Sequence, residues 1–188
     1  MKPWGLIVAG GKSERFGSPK ILHEIDGVPQ WQRLSDALSP HCERVVLNIS
    51  EELRPFFPTH TPFEILAENE HLGPLEGLCR AFETYPNRDW LVVACDHFWV
   101  EAGTFEQLNA LKSLFFRDEQ GNLVPWLGKI TKQDIDFILQ NKKEGAQSLK
   151  RILEVMPVTT VLPSKKEWIL DADSAEMLHS DHVKNKDQ

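Results

Sequence analysis

The sequence predicts a three-layer α/β/α domain built around a mostly parallel sheet. Three observations carry the prediction. Short unbroken apolar runs, such as Leu6-Ile7-Val8-Ala9 and Leu91-Val92-Val93-Ala94, have the composition of strands buried on both faces. Between such runs lie segments with apolar residues three and four apart, the pattern of helices that cover a sheet. The two kinds of segment alternate over residues 1–115, which calls for parallel strands joined by crossovers.

Taken in order, residues 5–9 form the first strand, bounded by glycine at both ends. Residues 29–38 read as a helix, with Pro29 in its first turn and Pro40 after its end. Residues 44–49 are the second buried strand, and residues 63–67 a third, weaker one. In residues 75–85, Leu75, Leu78, Cys79 and Phe82 share one helical face. Residues 90–95 are the fourth strand and 104–114 the next helix. The turn-rich stretch 117–122 lies between two apolar segments and closes a hairpin. Residues 134–140 and 148–155 are helical, 158–162 and 168–170 are late strands, and 174–178 begin a final helix. A polar tail occupies 182–188.

The chain has 188 residues, and 21 Lys+Arg against 28 Asp+Glu leave a formal charge of −7. That length suits one compact domain, residues 1–181, ahead of the tail. The acidic balance argues against nucleic acid or an anionic membrane as partner, because both demand a broad basic face. No apolar run approaches the ~18 residues of a membrane span, and the opening Met1-Lys2-Pro3-Trp4 has no signal-peptide character. Cys42, Cys79 and Cys95 lie far apart without a CxxC pair, so small buried thiols in a reducing, cytoplasmic setting are expected.

In a parallel sheet, ligands bind beyond the carboxyl ends of the strands. The chemistry is therefore sought just after Ala9, Ile49, Ala67 and Cys95. After the first strand the chain reads Ala9-Gly10-Gly11-Lys12-Ser13-Glu14-Arg15-Phe16-Gly17-Ser18-Pro19-Lys20. Paired glycines let the backbone approach a ligand and expose N–H groups as an anion nest. Lys12, Arg15 and Lys20 against Glu14 make this stretch +2, leaving −9 for the rest of the chain. Such a loop suits phosphate, although a bare Gly-Gly is more often only a strand-to-helix turn. Gly11 stands where a P-loop needs its lysine, and GxGxxG is absent.

The whole string resembles AGGxSxRFGxxK, the signature of nucleotidyltransferases that join a nucleoside monophosphate to a phosphorylated acceptor. Within them it is most similar to the molybdenum cofactor guanylyltransferases, which join GMP from GTP to molybdopterin. The resemblance implies a Rossmann-like fold of the nucleotide-diphospho-sugar transferase type. It also implies a nucleotide-binding half at about 1–115, an acceptor-binding half at about 116–181, and Mg(2+) as cofactor. Cofactor-delivering proteins or apo-molybdoenzymes would be its protein partners. Pro19 replaces the aspartate usual in the guanylyltransferases, and Pro-Lys is commoner in relatives that use CTP. A transferase using CTP or another phosphorylated acceptor, and a nucleotide-binding relative without turnover, are the alternatives.

Further motifs support the resemblance. Gly73-Pro74-Leu75-Glu76-Gly77-Leu78 matches GPLxGL and physically is a tight turn into a helix. Cys95-Asp96 ends the fourth strand, where a carboxylate points into the crevice and suits Mg(2+), or else caps a helix. The family's CDxP is altered here to Cys95-Asp96-His97-Phe98, which should reshape the loop that follows. The resemblance assigns Ala9, Gly10, Gly11, Lys20, Asn48, Asn69 and Gly73 to nucleotide binding. It assigns Arg15, Lys20 and Asp96 to catalysis, with Asp96 also the metal ligand. Residues 145–153 resemble a Gly-x-x-Ser-Leu-x-x-Leu-Leu segment, beside which Lys142, Lys143, Lys150 and Arg151 offer positive charge. Asp171 and Asp173 stand where the family has acceptor-binding asparagines. A carboxylate cannot donate a hydrogen bond and repels phosphate, so either an extra metal or a raised pKa reconciles these two positions with the acceptor, or acceptor binding differs here.

Overall fold

The apolar runs form strands because β-branched and large aliphatic side chains fill both faces of a sheet covered by helices. The computed structural model describes residues 2–9, 18–68 and 73–172. Four strands, β1 (Trp4–Val8), β4 (Val45–Ser50), β5 (Glu64–Glu68) and β6 (Trp90–Ala94), pair in parallel in the order β5-β4-β1-β6. The sheet continues through β8 (Leu123–Ile130), antiparallel to β6, then β7 (Leu114–Arg117) and the edge strand β9 (Thr159–Val161). A separate two-stranded ribbon pairs β2 (Glu24–Ile25) with β3 (Val28–Pro29).

Alternation along each strand assigns its side chains to two helical layers. Ile7, Leu47 and Val93 pack toward α1 (Gln30–Leu38) and α3 (Ala102–Asn109), through Leu34, Leu38, Phe105 and Leu108. Leu6, Val8 and Val92 pack toward α2 (Pro74–Thr84), α4 (Lys132–Lys143) and α5 (Leu149–Val155), through Leu78, Phe82, Ile138 and Ile152. Burying each such side chain stabilises the fold by about 1.5–3 kcal/mol. The helix starts are set locally. α2 opens with Gly73 at φ 89° followed by Pro74, while Glu101 with Thr104, and Thr131 with Asp134, form reciprocal caps for α3 and α4.

The fold is thus the expected α/β/α sandwich on a mostly parallel sheet, with two differences of detail. The helix expected over 104–114 ends at Asn109, because Leu114 is needed as the first residue of β7, where it is buried beside β8 and β9. The hairpin around 117–122 forms as expected, with Gly121 at φ 87° in its turn. Residues 168–170 are not a strand. Lys166–Ile169 is a short 3-10 turn that drops Trp168 into the core against Phe116, with ring centroids 6.2 Å apart. An apolar triplet too short to show a period serves either conformation, and here burial of one large ring decided. The expected final helix and polar tail lie outside the described residues.

Candidate active site

Both neighbours of β1, namely β4 and β6, run parallel to it, so the chain has departed to either side of β1. At such a switch point the connections diverge and leave a crevice beyond the strand ends. Ala9 lies on its floor and donates its N–H to the Asn48 carbonyl at 2.9 Å. Across the crevice, the Cys95 N–H reaches the Val8 carbonyl at 3.0 Å.

The charges of three of the expected residues, Lys20, Asp96 and Asp171, are felt at one buried imidazole. Lys20 opens a 3-10 turn, Lys20–Leu22, and Asp96 sits in the turn that follows β6. Asp171 follows the Lys166–Ile169 turn, and the segment is tied down when the Ala172 N–H donates to the Asp96 carbonyl at 3.1 Å. His97 is buried between them, its Nδ1 3.3 Å from the Leu170 carbonyl. A carbonyl only accepts, so Nδ1 carries the proton. Burial pushes the His97 pKa down; Asp96, the Leu170 carbonyl and Asp171 oppose this, and Lys20 adds to it. Burial, then the Asp96 charge, raise the Cys95 thiol to about 12 against Lys20, so it is no nucleophile at neutral pH. The capping alternative for Asp96 falls away, because Glu101 caps α3.

The nucleotide-side residues divide. Asn48 is 2% exposed, and its Nδ2 donates to Glu68 Oε1 at 2.7 Å and to the Leu66 carbonyl at 3.3 Å. It thereby ties the ends of β4 and β5. Gly77 is packed so closely that a Cβ there would lie 2.1 Å from Asn48 Oδ1. Among the described residues nothing lies within 4 Å of where a Gly73 Cβ would stand, and its φ of 89° is one that favours glycine. Gly10, Gly11, Arg15, Asn69 and Asp173 lie outside the described residues. Of the cations in the second half, Lys142 is paired with Glu76 at 2.9 Å, at the first turn of α2, and Lys143, Lys150 and Arg151 are exposed.

Four contributors escape sequence reasoning. Gln30, Arg33, His97 and Glu68 are polar residues whose role depends on distant chain segments. Gln30 Nε2 donates to the carbonyls of Cys95 at 3.3 Å and His97 at 3.2 Å, and Arg33 Nη1 to that of Phe98 at 3.1 Å. One signal was available: Asp26-Gly27, with φ 53° and 77°, is a hairpin turn sequence that sets Gln30 at the start of α1.

The donors fit a hard divalent cation. Asp96 and Asp171 offer carboxylate oxygens on adjacent segments, and Mg(2+) takes one or two carboxylates with the remaining positions left to phosphates and water. Among the described residues no group of three or more His, Cys, Asp or Glu is placed to hold a metal by itself.

An α/β/α sheet of this order, with a lysine and two carboxylates on segments at its carboxyl edge, has the architecture of enzymes that handle nucleotide phosphates. The chain belongs to the family of the MobA-like NTP transferase domain, whose model matches residues 5–157. It is therefore a member of a nucleotidyltransferase family. The molybdenum cofactor biosynthesis bifunctional protein of Synechocystis is 35% identical over 183 residues, 92% of this chain and 52% of that one. The chain thus spans about half the length of that relative. A probable molybdenum cofactor guanylyltransferase of Bacillus velezensis is 26% identical over 81% of this chain and 80% of its own. Among solved structures, molybdopterin-guanine dinucleotide biosynthesis protein A of Archaeoglobus fulgidus superposes with TM-score 0.75 at 16% identity, covering 97% of this chain and 99% of that one. The 2-C-methyl-D-erythritol 4-phosphate cytidylyltransferase of Thermus thermophilus gives 0.71 at 14%, covering 99% and 100%. Among the described residues no helix is long and apolar enough to cross a membrane.

Proposed function

We propose that the protein transfers GMP from GTP to the terminal phosphate of molybdopterin, releasing pyrophosphate. A phosphate oxygen of the acceptor bonds to the α-phosphorus of GTP, and the bond from that phosphorus to the bridging oxygen breaks. The nucleophile is already an anion, so no side chain need take its proton. Catalysis is then positioning and charge stabilisation. The observation that carries the reading is that the Ala172 N–H ties the segment bearing Asp171 to the Asp96 turn at the carboxyl edge of the sheet, with the charge of Lys20 felt at His97 between them. The names of the relatives supply the acceptor.

Lys20 stabilises charge developing at the α-phosphate. Asp96 and Asp171 would hold Mg(2+), which when bound supplies charge neutralisation to the phosphates. That role also removes the conflict between Asp171 and an anionic acceptor, since a metal between them turns repulsion into attraction. Ala9, Gly10, Gly11 and Gly73 cradle the nucleotide, and Arg15 takes the β- and γ-phosphates. Asn69 is assigned to the nucleotide and Asp173, with Asp171, to the acceptor, while Asn48 serves the nucleotide from beneath the crevice by tying β4 to β5. The protein acts away from membranes, in the cytoplasm, and exchanges its cofactor with delivering proteins or apo-molybdoenzymes. The test is pyrophosphate release from each of the four NTPs with Mg(2+) and molybdopterin. GTP alone should support turnover. Turnover with CTP instead would reassign the base, and GTP binding without turnover on any acceptor would overturn the enzyme reading.

A further inference from the structure

Between β6 and α3 the chain runs through Cys95, Asp96, His97 and Phe98, and no helix or strand holds it there. Such a loop should be loose, yet each of its four successive carbonyls has a donor from elsewhere in the fold. Gln30 Nε2 serves Cys95 at 3.3 Å and His97 at 3.2 Å, Arg33 Nη1 serves Phe98 at 3.1 Å, and the Ala172 N–H serves Asp96 at 3.1 Å. Gln30 is 1% exposed, a position where an apolar residue would ordinarily sit. Both its amide hydrogens are spent on the two carbonyls that flank Asp96, and its Oε1 accepts from Arg33 at 3.3 Å, so the buried amide is satisfied throughout. The Gln30 N–H in turn donates to the His23 carbonyl at 2.8 Å, on the segment that begins with Lys20.

We infer that Gln30, assisted by Arg33, is a positioning residue that sets the Asp96 carboxylate against Lys20. This rests on the metal-assisted transfer proposed above. A side chain with two donors spanning the peptide units on either side of Asp96 fixes both the height and the rotation of that residue. Its own anchor lies on the Lys20 side of the crevice. Gln30 touches neither substrate nor metal; it acts through the backbone that carries Asp96. Outer partners of this kind cost about 10–100-fold in metal affinity or activity when removed.

The test compares wild type, Asp96→Asn, Gln30→Met and Arg33→Met. Two quantities are read: Mn2+ affinity in the presence of GTP without acceptor, from the free-ion EPR signal, and kcat and KM for GTP. Gln30→Met keeps the volume and removes both donors. It should bind Mn2+ about 10-fold more weakly and lose about 10–100-fold in kcat, with KM within about 3-fold. Arg33→Met should lose less in the same direction, Arg33→Lys should recover part of it, and this pair serves if Gln30→Met does not fold. Wild-type turnover together with loss of Mn2+ in Asp96→Asn establishes the underlying reading. Gln30→Met that melts lower yet matches wild type in Mn2+ affinity and kcat then overturns the positioning role alone. Undiminished Mn2+ binding in Asp96→Asn overturns the metal reading instead.

Discussion

Gly77→Ala is the sharpest single test of how the crevice is built. Gly77 lies on the buried face of α2, and an added Cβ would stand 2.1 Å from Asn48 Oδ1, 2.8 Å from Cγ and 3.2 Å from Nδ2. Asn48 has nowhere to retreat, because its amide is held by Glu68 at 2.7 Å and by the Leu66 carbonyl at 3.3 Å. Either the helix shifts or those bonds break. Overpacking costs about 1–3 kcal/mol, and a buried amide deprived of its partners about 1–3 kcal/mol. Alanine returns about 1 kcal/mol of helix propensity, so with both costs incurred the net loss is about 1–5 kcal/mol. In urea the midpoint should fall with an unchanged slope, and the melting temperature should drop by about 2–20 °C. Asn48→Ala removes the obstacle, so the double variant should be more stable than the two single costs predict by about 1–3 kcal/mol. Wild-type stability in Gly77→Ala, or single costs that add within about 0.5 kcal/mol, would refute the reasoning.

Three further outcomes follow from the structure. Lys20→Ala should lower GTP-dependent pyrophosphate release by about 10²-fold or more; unchanged turnover removes Lys20 from the site. Gly128→Ala sets a Cβ 2.2 Å from the Phe115 ring on the neighbouring strand and should cost about 1–3 kcal/mol in thermal unfolding, an expectation that a neutral result defeats. Burial raises the Cys42 thiol to about 12, against 9.0 for an ordinary cysteine, with Lys2 opposing. The folded thiol therefore keeps its proton where the unfolded one loses it, so stability is intact below pH 9 and declines above it. Between pH 8 and pH 10 this one group should remove about 1.4 kcal/mol, a loss that Cys42→Ala should not show in parallel denaturant titrations.

The helical face of Leu75, Leu78, Cys79 and Phe82 and the strand Leu91-Val92-Val93 were legible because their physics is local. Burial on both faces selects an apolar run, and burial on one face of a helix selects a 3–4 spacing. Gly73-Pro74 announced the start of α2 for the same reason, since φ 89° and a missing N–H are properties of single residues. Trp168 was misread as part of a strand, because three residues carry no period and the ring's destination beside Phe116 lies far away in sequence.

The sequence by itself determined the layered α/β architecture, the strand ends at which ligands must lie, and the residue types, among them Lys20 and Asp96, suited to phosphate and metal. Only the tertiary structure decided that the segment carrying Asp171 is bonded to the turn carrying Asp96, 75 residues earlier. It alone set Asn48 against Gly77 and Glu68, and made the inconspicuous Gln30 the support of the Asp96 loop. The physical reason is range. Propensity, periodicity and turn chemistry act within a few residues, whereas a buried amide finds its carbonyls only after crossovers have brought remote segments together.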